Sequence, residues 1–173
     1  MSGHSHWAGI KRKKGFTDQK RGQLFSKLLK AISIAARGEP NPQFNPQLKT
    51  AIEKARENQV PQDKIETATS RASEDKNLEE LVIESYGPEG TAILIEAITD
   101  NRNRTIAEIK KILSDNGAKF AEAGSVRWTF ENINGEWQPK FKQEISAGAK
   151  EKIQNLIQEL EGHDDVQKII TNS

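Results

Sequence analysis

The sequence of 173 residues predicts an α+β protein, with a small helical bundle followed by a domain of mixed strands and helices. Three observations lead to this fold class. Apolar residues recur at helical spacing up to about residue 72, a polar stretch occupies residues 73–79, and alternating apolar and polar residues come after it. The change of period predicts two domains, residues 1–76 and residues 77–173.

Three helices are predicted in the first domain, after a basic tail. The first begins at Thr17 or Asp18 and ends near Arg37, the second takes Asn45 as its N-cap, and the third follows Pro61. Helices this short bury too little apolar surface to be stable alone. We therefore expect them to pack as one bundle.

The second domain has the element order ββαββαβ, which is typical of a ferredoxin-like sandwich with one extra strand in front. The predicted elements are strands at 81–85 and 91–99, a turn at 87–90, a helix opened by the capping box Thr105–Glu108, strands at 126–130 and near 137–141, a helix capped by Ser146, and a closing strand at 166–170.

The pair Asn134–Gly135 is the strongest hairpin signal in the chain. Counting outward from it places Trp128 opposite Phe141, and we expect this aromatic pair on the core face of the hairpin. Trp137 is expected in the same core.

Charge is divided unevenly along the chain, although the formal total is only +1. Residues 1–37 hold nine Lys or Arg against one acid, a formal charge of +8, whereas the remainder holds seventeen bases and twenty-four acids, a formal charge of −7. A basic segment attached to an acidic body is typical of proteins that bind polyanions. A merely solvated basic run is the alternative.

Several classes of function are disfavoured by what the sequence lacks. There is no cysteine, which removes disulfides, thiolate metal sites and a cysteine nucleophile, and no phosphate-binding loop or nucleophile motif occurs. His4, His6 and His163 are too few for a zinc site, and Asp164–Asp165 lies in a loop where nothing predicts a shifted pKa. We expect neither an enzyme nor a metal or cofactor.

The tail and the first helix supply one set of candidate nucleic-acid contacts. On a helical wheel Lys20, Lys27 and Lys30 lie opposite the apolar stripe, and Trp7 either docks on the bundle or stacks on a base. The residues of this set are His4, Ser5, Trp7, Lys11, Arg12, Lys13, Lys14, Lys20, Arg21, Lys27 and Lys30.

The segment before the capping box supplies a second set. Arg102 and Arg104 lie just before a predicted helix N-terminus, where cations are unfavourable unless an anion such as phosphate joins them. Solvated arginines, or pairs with Asp100 or Glu108, are the alternative. The residues of this set are Asn101, Arg102, Asn103 and Arg104.

Five stretches of the sequence together resemble the YebC/PmpR family, which includes the mitochondrial translational activator of cytochrome oxidase subunit one. They are Gly3-His4-Ser5-x-Trp7-Ala8-x-Ile10-Lys11, Asp18-x-x-Arg21-Gly22-x-x-Phe25-x-Lys27-Leu28, Tyr86-Gly87-Pro88-x-Gly90, Thr99-Asp100-Asn101-Arg102-Asn103-Arg104-Thr105 and Gly124-Ser125-Val126. The chain departs from the family in carrying His6 where Lys is usual. We also expect a short form without the third domain that is inserted in the second, because the Asn134–Gly135 hairpin stands where that insertion would be.

The resemblance implies a cytoplasmic regulator of gene expression that binds nucleic acid. Family members are described as DNA-binding transcriptional regulators, and others as RNA-binding translation factors that act on ribosomal RNA and relieve ribosome stalling on proline runs. A monomer without membrane, small-molecule or cofactor partners is expected. The alternative is a protein-interaction adaptor that uses its acidic body and does not bind nucleic acid directly.

Overall fold

The computed structural model of the chain describes residues 18–173. These residues form two compact units, one of residues 18–80 with 98–101 and the other of residues 81–97 with 102–173. The first unit is helical, whereas the second combines strands and helices. The α+β class and the helical N-terminal part are confirmed, and the domain boundary at residue 76 stays a prediction.

The helical unit contains α1 (Asp18–Ala35), α2 (Pro46–Glu57) and α3 (Gln62–Ser70). Each helix presents an apolar stripe of period 3.6 to the others, as the sequence predicts. The buried side chains of this core include Leu24, Leu28, Ile32, Leu48, Ile52, Ala55 and Ile65.

Asn45 fixes the connection between α1 and α2. Its side-chain oxygen accepts the Leu48 N–H at 3.0 Å, which caps α2 as predicted. Its side-chain amide donates to the carbonyl oxygens of Ala35 at 2.7 Å and Glu39 at 2.8 Å. One residue therefore satisfies backbone groups at the end of α1 and at the start of α2.

The α+β unit has a four-stranded sheet in the order β3-β1-β2-β6. The hairpin strands β4 and β5 form a separate two-stranded sheet, whereas a ferredoxin-like sandwich would include them in the main sheet. The elements are β1 (Glu79–Tyr86), β2 (Ala92–Thr99), α4 (Arg102–Asp115), β3 (Lys119–Phe120), β4 (Phe130–Ile133), β5 (Glu136–Pro139), α5 (Ala147–Glu161) and β6 (Val166–Thr171).

Two cores lie on opposite faces of the main sheet, because alternate residues of a strand point to opposite sides. Ile93 and Ile95 of β2 belong to the core that includes α4 and α5 side chains, whereas Ala92 and Leu94 belong to the core that includes Phe130 of the hairpin. Burial on both faces explains the nearly continuous apolar run of β2. None of the helices within residues 18–173 is long and apolar enough to cross a membrane.

The two helices of this unit begin in different ways, and only one of them begins as predicted. α5 follows Ser146, whose hydroxyl accepts the Ala149 N–H at 3.2 Å, as expected of an N-cap. α4 begins at Arg102, so the predicted capping box is wrong and Thr105 lies inside the first turn. The buried Thr105 hydroxyl donates instead to the Asp165 carboxylate at 2.7 Å.

The hairpin turn is the predicted one. Asn134 and Gly135 both have positive φ, 53° and 87°, as a two-residue turn that matches the strand twist requires. The register pairs Phe130 with Pro139, and the Trp128 and Phe141 rings lie 6.1 Å apart between centroids. The expected position on the core face is wrong, since these rings are 63% and 59% exposed.

A buried carboxylate explains why the strand predicted from residue 126 begins only at Phe130. Glu84, in β1, accepts the N–H groups of Gly124 at 2.7 Å, Val126 at 3.0 Å and Arg127 at 2.7 Å. These N–H groups donate to a side-chain carboxylate and therefore cannot form the backbone hydrogen bonds of a strand. Residues 127–129 form a turn of 3-10 helix instead, and Trp128 points outward.

The same contacts determine the ionisation of Glu84. Burial by itself would raise the pKa of Glu84, but the hydrogen bonds from Gly124, Arg127 and Val126 and the Arg127 charge together hold the pKa below its usual value. The carboxylate therefore stabilises the fold in its ionised form.

Glu84→Gln should lower the free energy of unfolding by about 1.5–3 kcal/mol near neutral pH, because a neutral amide with one acceptor oxygen replaces a carboxylate that accepts three N–H groups. Because the folded-state pKa is lowered, the stabilisation is fully present above the unfolded value of about 4.3 and is lost as the pH falls through the folded value. Urea unfolding at a series of pH values should show the difference between wild type and variant shrinking below about pH 4.3.

Glu80→Gln is the matched control, since Glu80 lies in the same strand and is exposed. It should change stability by less than about 0.5 kcal/mol. A Glu84→Gln deficit that stays constant as the pH falls would contradict the assignment of an ionised anchor.

Candidate nucleic-acid interface

Part of the first predicted set of contacts lies outside the described residues. These residues are His4, Ser5, Trp7, Lys11, Arg12, Lys13 and Lys14. His6, of the rejected zinc site, also lies there. We call the basic tail that contains these residues the arm. Its role in binding nucleic acid stays a prediction.

The basic side of α1 is smaller than the helical wheel indicates. Lys20 and Arg21 are exposed and Lys30 is half-buried, but only 3% of Lys27 is accessible. Lys27 lies three residues after Leu24 and one before Leu28, so it borders the buried stripe. Its expected position on the solvent-facing side is wrong, and a buried ammonium of this kind needs a partner.

The second predicted set lies at the start of α4. Asn101, Arg102, Asn103 and Arg104 are all exposed, and Arg102 is the first helical residue. The four residues therefore surround a helix N-terminus, as predicted, although one turn earlier than the capping box indicated. The backbone N–H groups of a first turn and exposed guanidinium groups can both donate to phosphate.

Arg104 has a partner that sequence reasoning missed. Its guanidinium lies 2.7 Å from the carboxylate of Asp165, which is nearly buried, with 4% of the side chain exposed. The same carboxylate oxygen accepts the Thr105 hydroxyl at 2.7 Å. Asp165 is 61 residues away in the chain, and no local pattern connects it to Arg104. The sequence-based alternative of a pair with Glu108 is a lesser contact, at 4.0 Å.

His163 completes this polar cluster. Its Nδ1 accepts the backbone N–H of Asp165 at 3.1 Å, and its Nε2 lies 2.6 Å from a Glu108 carboxylate oxygen. An imidazole that accepts at Nδ1 carries its hydrogen on Nε2, so we assign the Nε2–H tautomer, which donates to Glu108. Both ring nitrogens are thus used in hydrogen bonds.

Glu108, His163 and Asp165 could also hold a metal ion, because one ligand atom from each lies within 4.8 Å of the others. The sequence gives no sign of a carboxylate that could complete a site with His163, whereas the structure places Glu108 and Asp165 beside it. The observed contacts nevertheless favour an ion-pair network. Arg104 already compensates the charge of Asp165, and a metal would have to take the place of a hydrogen bond at whichever imidazole nitrogen it bound.

The two arginines consequently differ in what they offer a polyanion. Arg104 is 42% exposed and tied to a buried carboxylate, so much of its charge is compensated within the protein. Arg102 is exposed at the first position of the helix. Both guanidinium groups reach solvent beside the helix start, and that of Arg104 is shared with Asp165.

Comparison with known proteins agrees with the resemblance seen in the sequence. Residues 5–75 match the TACO1/YebC protein N-terminal domain, and residues 78–135 match the TACO1/YebC second and third domain. A crystal structure of a conserved hypothetical protein from Aquifex aeolicus has a TM-score of 0.84 and 29% identity over 96% of each chain.

Curated relatives carry names that mention regulation. A protein of Chlorobaculum tepidum named a probable transcriptional regulatory protein is 45% identical over 95% of this chain and 67% of its own length. One of the same description from Chloroherpeton thalassium is 53% identical over 76% of this chain and 54% of its own length. The chain thus spans between about half and two thirds of these relatives' length. On these matches, and on the motifs that predicted them, the chain belongs to the TACO1/YebC family.

Proposed function

We propose that the chain is a nucleic-acid-binding regulator of gene expression that acts by binding and not by catalysis. The observation that carries the proposal is the segregation of charge, with a formal +8 on residues 1–37 and −7 on the rest. The printed names of its relatives, probable transcriptional regulatory proteins, support the same class. We place its action in the cytoplasm and expect a monomer.

Structured RNA is the target that we favour, as in family members that act as translation factors on ribosomal RNA and relieve stalling on proline runs. The sequence has no recognisable helix-turn-helix signature for reading a major groove. A lysine-rich arm contacts phosphates without reading bases, which suits recognition by shape. Duplex DNA is the second candidate, because the relatives are named probable transcriptional regulatory proteins.

A protein-interaction adaptor is the competing class, because the acidic body could bind a basic partner directly. Reversing the charge of the arm alone separates the two classes. A nucleic-acid-binding protein would lose its target, whereas an adaptor that works through its body would keep its partner.

Removing the arm cations should weaken nucleic-acid binding without destabilising the fold. The variant changes Lys11, Arg12, Lys13 and Lys14 to Ala, all of which precede the first apolar stripe of α1. Each phosphate that the variant fails to neutralise should lower the slope of log K against log salt by about 0.9 for duplex DNA and about 0.7 for a single strand. Titrations at several salt concentrations measure the slope, and thermal melting checks the fold.

The control removes four exposed lysines elsewhere, Lys49, Lys76, Lys150 and Lys152, and so changes the net charge equally. The slope should then stay near that of the wild type. If the arm variant and the control have the same slope as the wild type, the arm does not contact phosphate.

The two arginines of α4 should respond in opposite ways to substitution by Gln. Arg104→Gln removes the partner of the nearly buried Asp165, and should cost about 1–2 kcal/mol, less than a fully buried pair because the guanidinium is 42% exposed. Arg102→Gln changes an exposed residue and should alter stability by about 0.5 kcal/mol or less, while weakening nucleic-acid binding.

Urea unfolding and equilibrium titration with a ribosomal RNA fragment, performed on both variants, test this division. Normal binding by the Arg102→Gln variant would remove the α4 start from the interface. Unchanged stability of the Arg104→Gln variant would show that the Asp165 pair does not stabilise the fold.

A further inference from the structure

Two exposed aromatic rings lie together at the base of the β4–β5 hairpin. Trp128 is 63% exposed and Phe141 is 59% exposed, although aromatic rings of this size are usually mostly buried. Their planes are inclined by 53° with centroids 6.1 Å apart. Because the rings are tilted and not stacked on each other, each keeps much of an open face. We call these two residues the aromatic pair.

The orientation of Trp128 within the aromatic pair is fixed by a hydrogen bond to the protein. The Trp128 indole N–H donates to the Ser125 carbonyl at 2.9 Å, and the Tyr86 hydroxyl donates to the same oxygen at 3.1 Å. Ser125 lies in the loop whose backbone is bound by the buried carboxylate of Glu84. The indole therefore has its polar group satisfied inside the protein and presents its π face. A preoriented ring loses little conformational freedom when a ligand covers it.

Three exposed cations are neighbours of the aromatic pair along the chain. Arg127 precedes Trp128 in the 3-10 turn and lies 5.7 Å from the centroid of the Trp137 ring, and Lys140 and Lys142 precede and follow Phe141 just after β5. The hairpin's acidic residues lie farther along it, since Glu131 pairs with Gln138 and Glu136 lies beside the turn. The segments that precede β4 and follow β5 thus carry aromatic and cationic residues, whereas the hairpin strands carry Glu131 and Glu136.

We propose that the aromatic pair is a stacking site for unpaired bases of single-stranded RNA. Aromatic rings bind bases through their π faces, and neighbouring cations bind the phosphates that connect those bases. A base that is paired and stacked in a duplex is not available to such rings, so the site distinguishes single strands and loops from duplexes. The proposal rests on the proposed function and adds a second RNA contact to the arm and the α4 start.

A protein partner fits this surface less well. Stable protein interfaces bury about 800 Å² on each side, and lysine is depleted in them relative to the rest of the surface. The surface formed by two adjacent rings is small, and the exposed lysines at its border are strongly hydrated. They match the size and charge of one or two nucleotides.

The test compares full-length variants in binding to a fluorescently labelled short oligouridylate. Trp128→Leu with Phe141→Leu keeps apolar bulk but removes both π faces. It should weaken binding about tenfold while the salt slope stays as in the wild type, because stacking neutralises no phosphate. Phe44→Leu is the matched control, since Phe44 is 73% exposed and lies in the helical unit, and it should bind as the wild type does. Melting curves should be unchanged for both variants.

Further variants and measurements distinguish a stacking site from a folding defect and from a protein interface. If the Leu pair disturbs folding, Phe141→Leu alone keeps the Trp128 bond to Ser125 and should still weaken binding, whereas Phe141→Tyr keeps both π faces and should bind as the wild type does. Normal binding by a folded Leu pair, with the arm variant defective, would overturn the stacking site and leave the proposed function intact. Absence of RNA binding by the wild type would overturn the stacking site and the RNA target, and absence of binding to duplex DNA as well would overturn the proposed function. Concentration-dependent self-association of the wild type that the Leu pair abolishes would assign the rings to a protein interface and overturn the proposal.

Discussion

A single buried carboxylate organises the part of the α+β unit in which the hairpin joins the sheet. Glu84 points from β1 into the face that the hairpin covers, and its two oxygens bind three backbone N–H groups of residues 124–127. Because those N–H groups are occupied, the chain turns before Phe130, and the side chain of Trp128 faces solvent while Val126 and Phe130 enter the core. An interior carboxylate is costly unless it is fully hydrogen-bonded, so the loop and the carboxylate stabilise each other.

Asp165 plays a related part beside the helix α4. Its carboxylate, nearly buried, binds the Arg104 guanidinium and the Thr105 hydroxyl, while its own N–H donates to His163. The start of α4 is thereby joined to the residue before β6. The carboxylates of Glu84 and Asp165 each bind backbone or basic groups close to a surface that we assign to RNA. Both carboxylates are buried, so neither faces the polyanion. The negative charge of the body is thus compatible with nucleic-acid binding at selected positions.

Local patterns predict most elements because their causes are local. The Asn45 cap, the Ser146 cap and the positive φ of Asn134–Gly135 each depend on residues within a few positions along the chain. The misplaced features depend on distant residues. Thr105 has the sequence pattern of an N-cap, but its hydroxyl bonds to Asp165, which no local pattern indicates. The alternation of residues 126–130 predicts a strand. Glu84, about forty residues away, binds the N–H groups that such a strand would need. Exposure of Trp128 follows from the same distant contact. The basic arm can be recognised from composition and family motifs, but its target cannot, since phosphate contacts carry no base identity.

We propose above that the chain binds RNA through phosphates and unpaired bases, in preference to duplex DNA. A competition titration tests it most directly. The full-length protein is saturated with a labelled ribosomal RNA fragment that contains an unpaired loop, and is then titrated at about 0.15 M salt with unlabelled RNA or with duplex DNA of equal phosphate number. We expect the RNA to displace the probe at a concentration at least about tenfold lower than the duplex, which corresponds to a difference in binding free energy of about 1.4 kcal/mol. Equal displacement by the two competitors, or stronger displacement by the duplex, would contradict it.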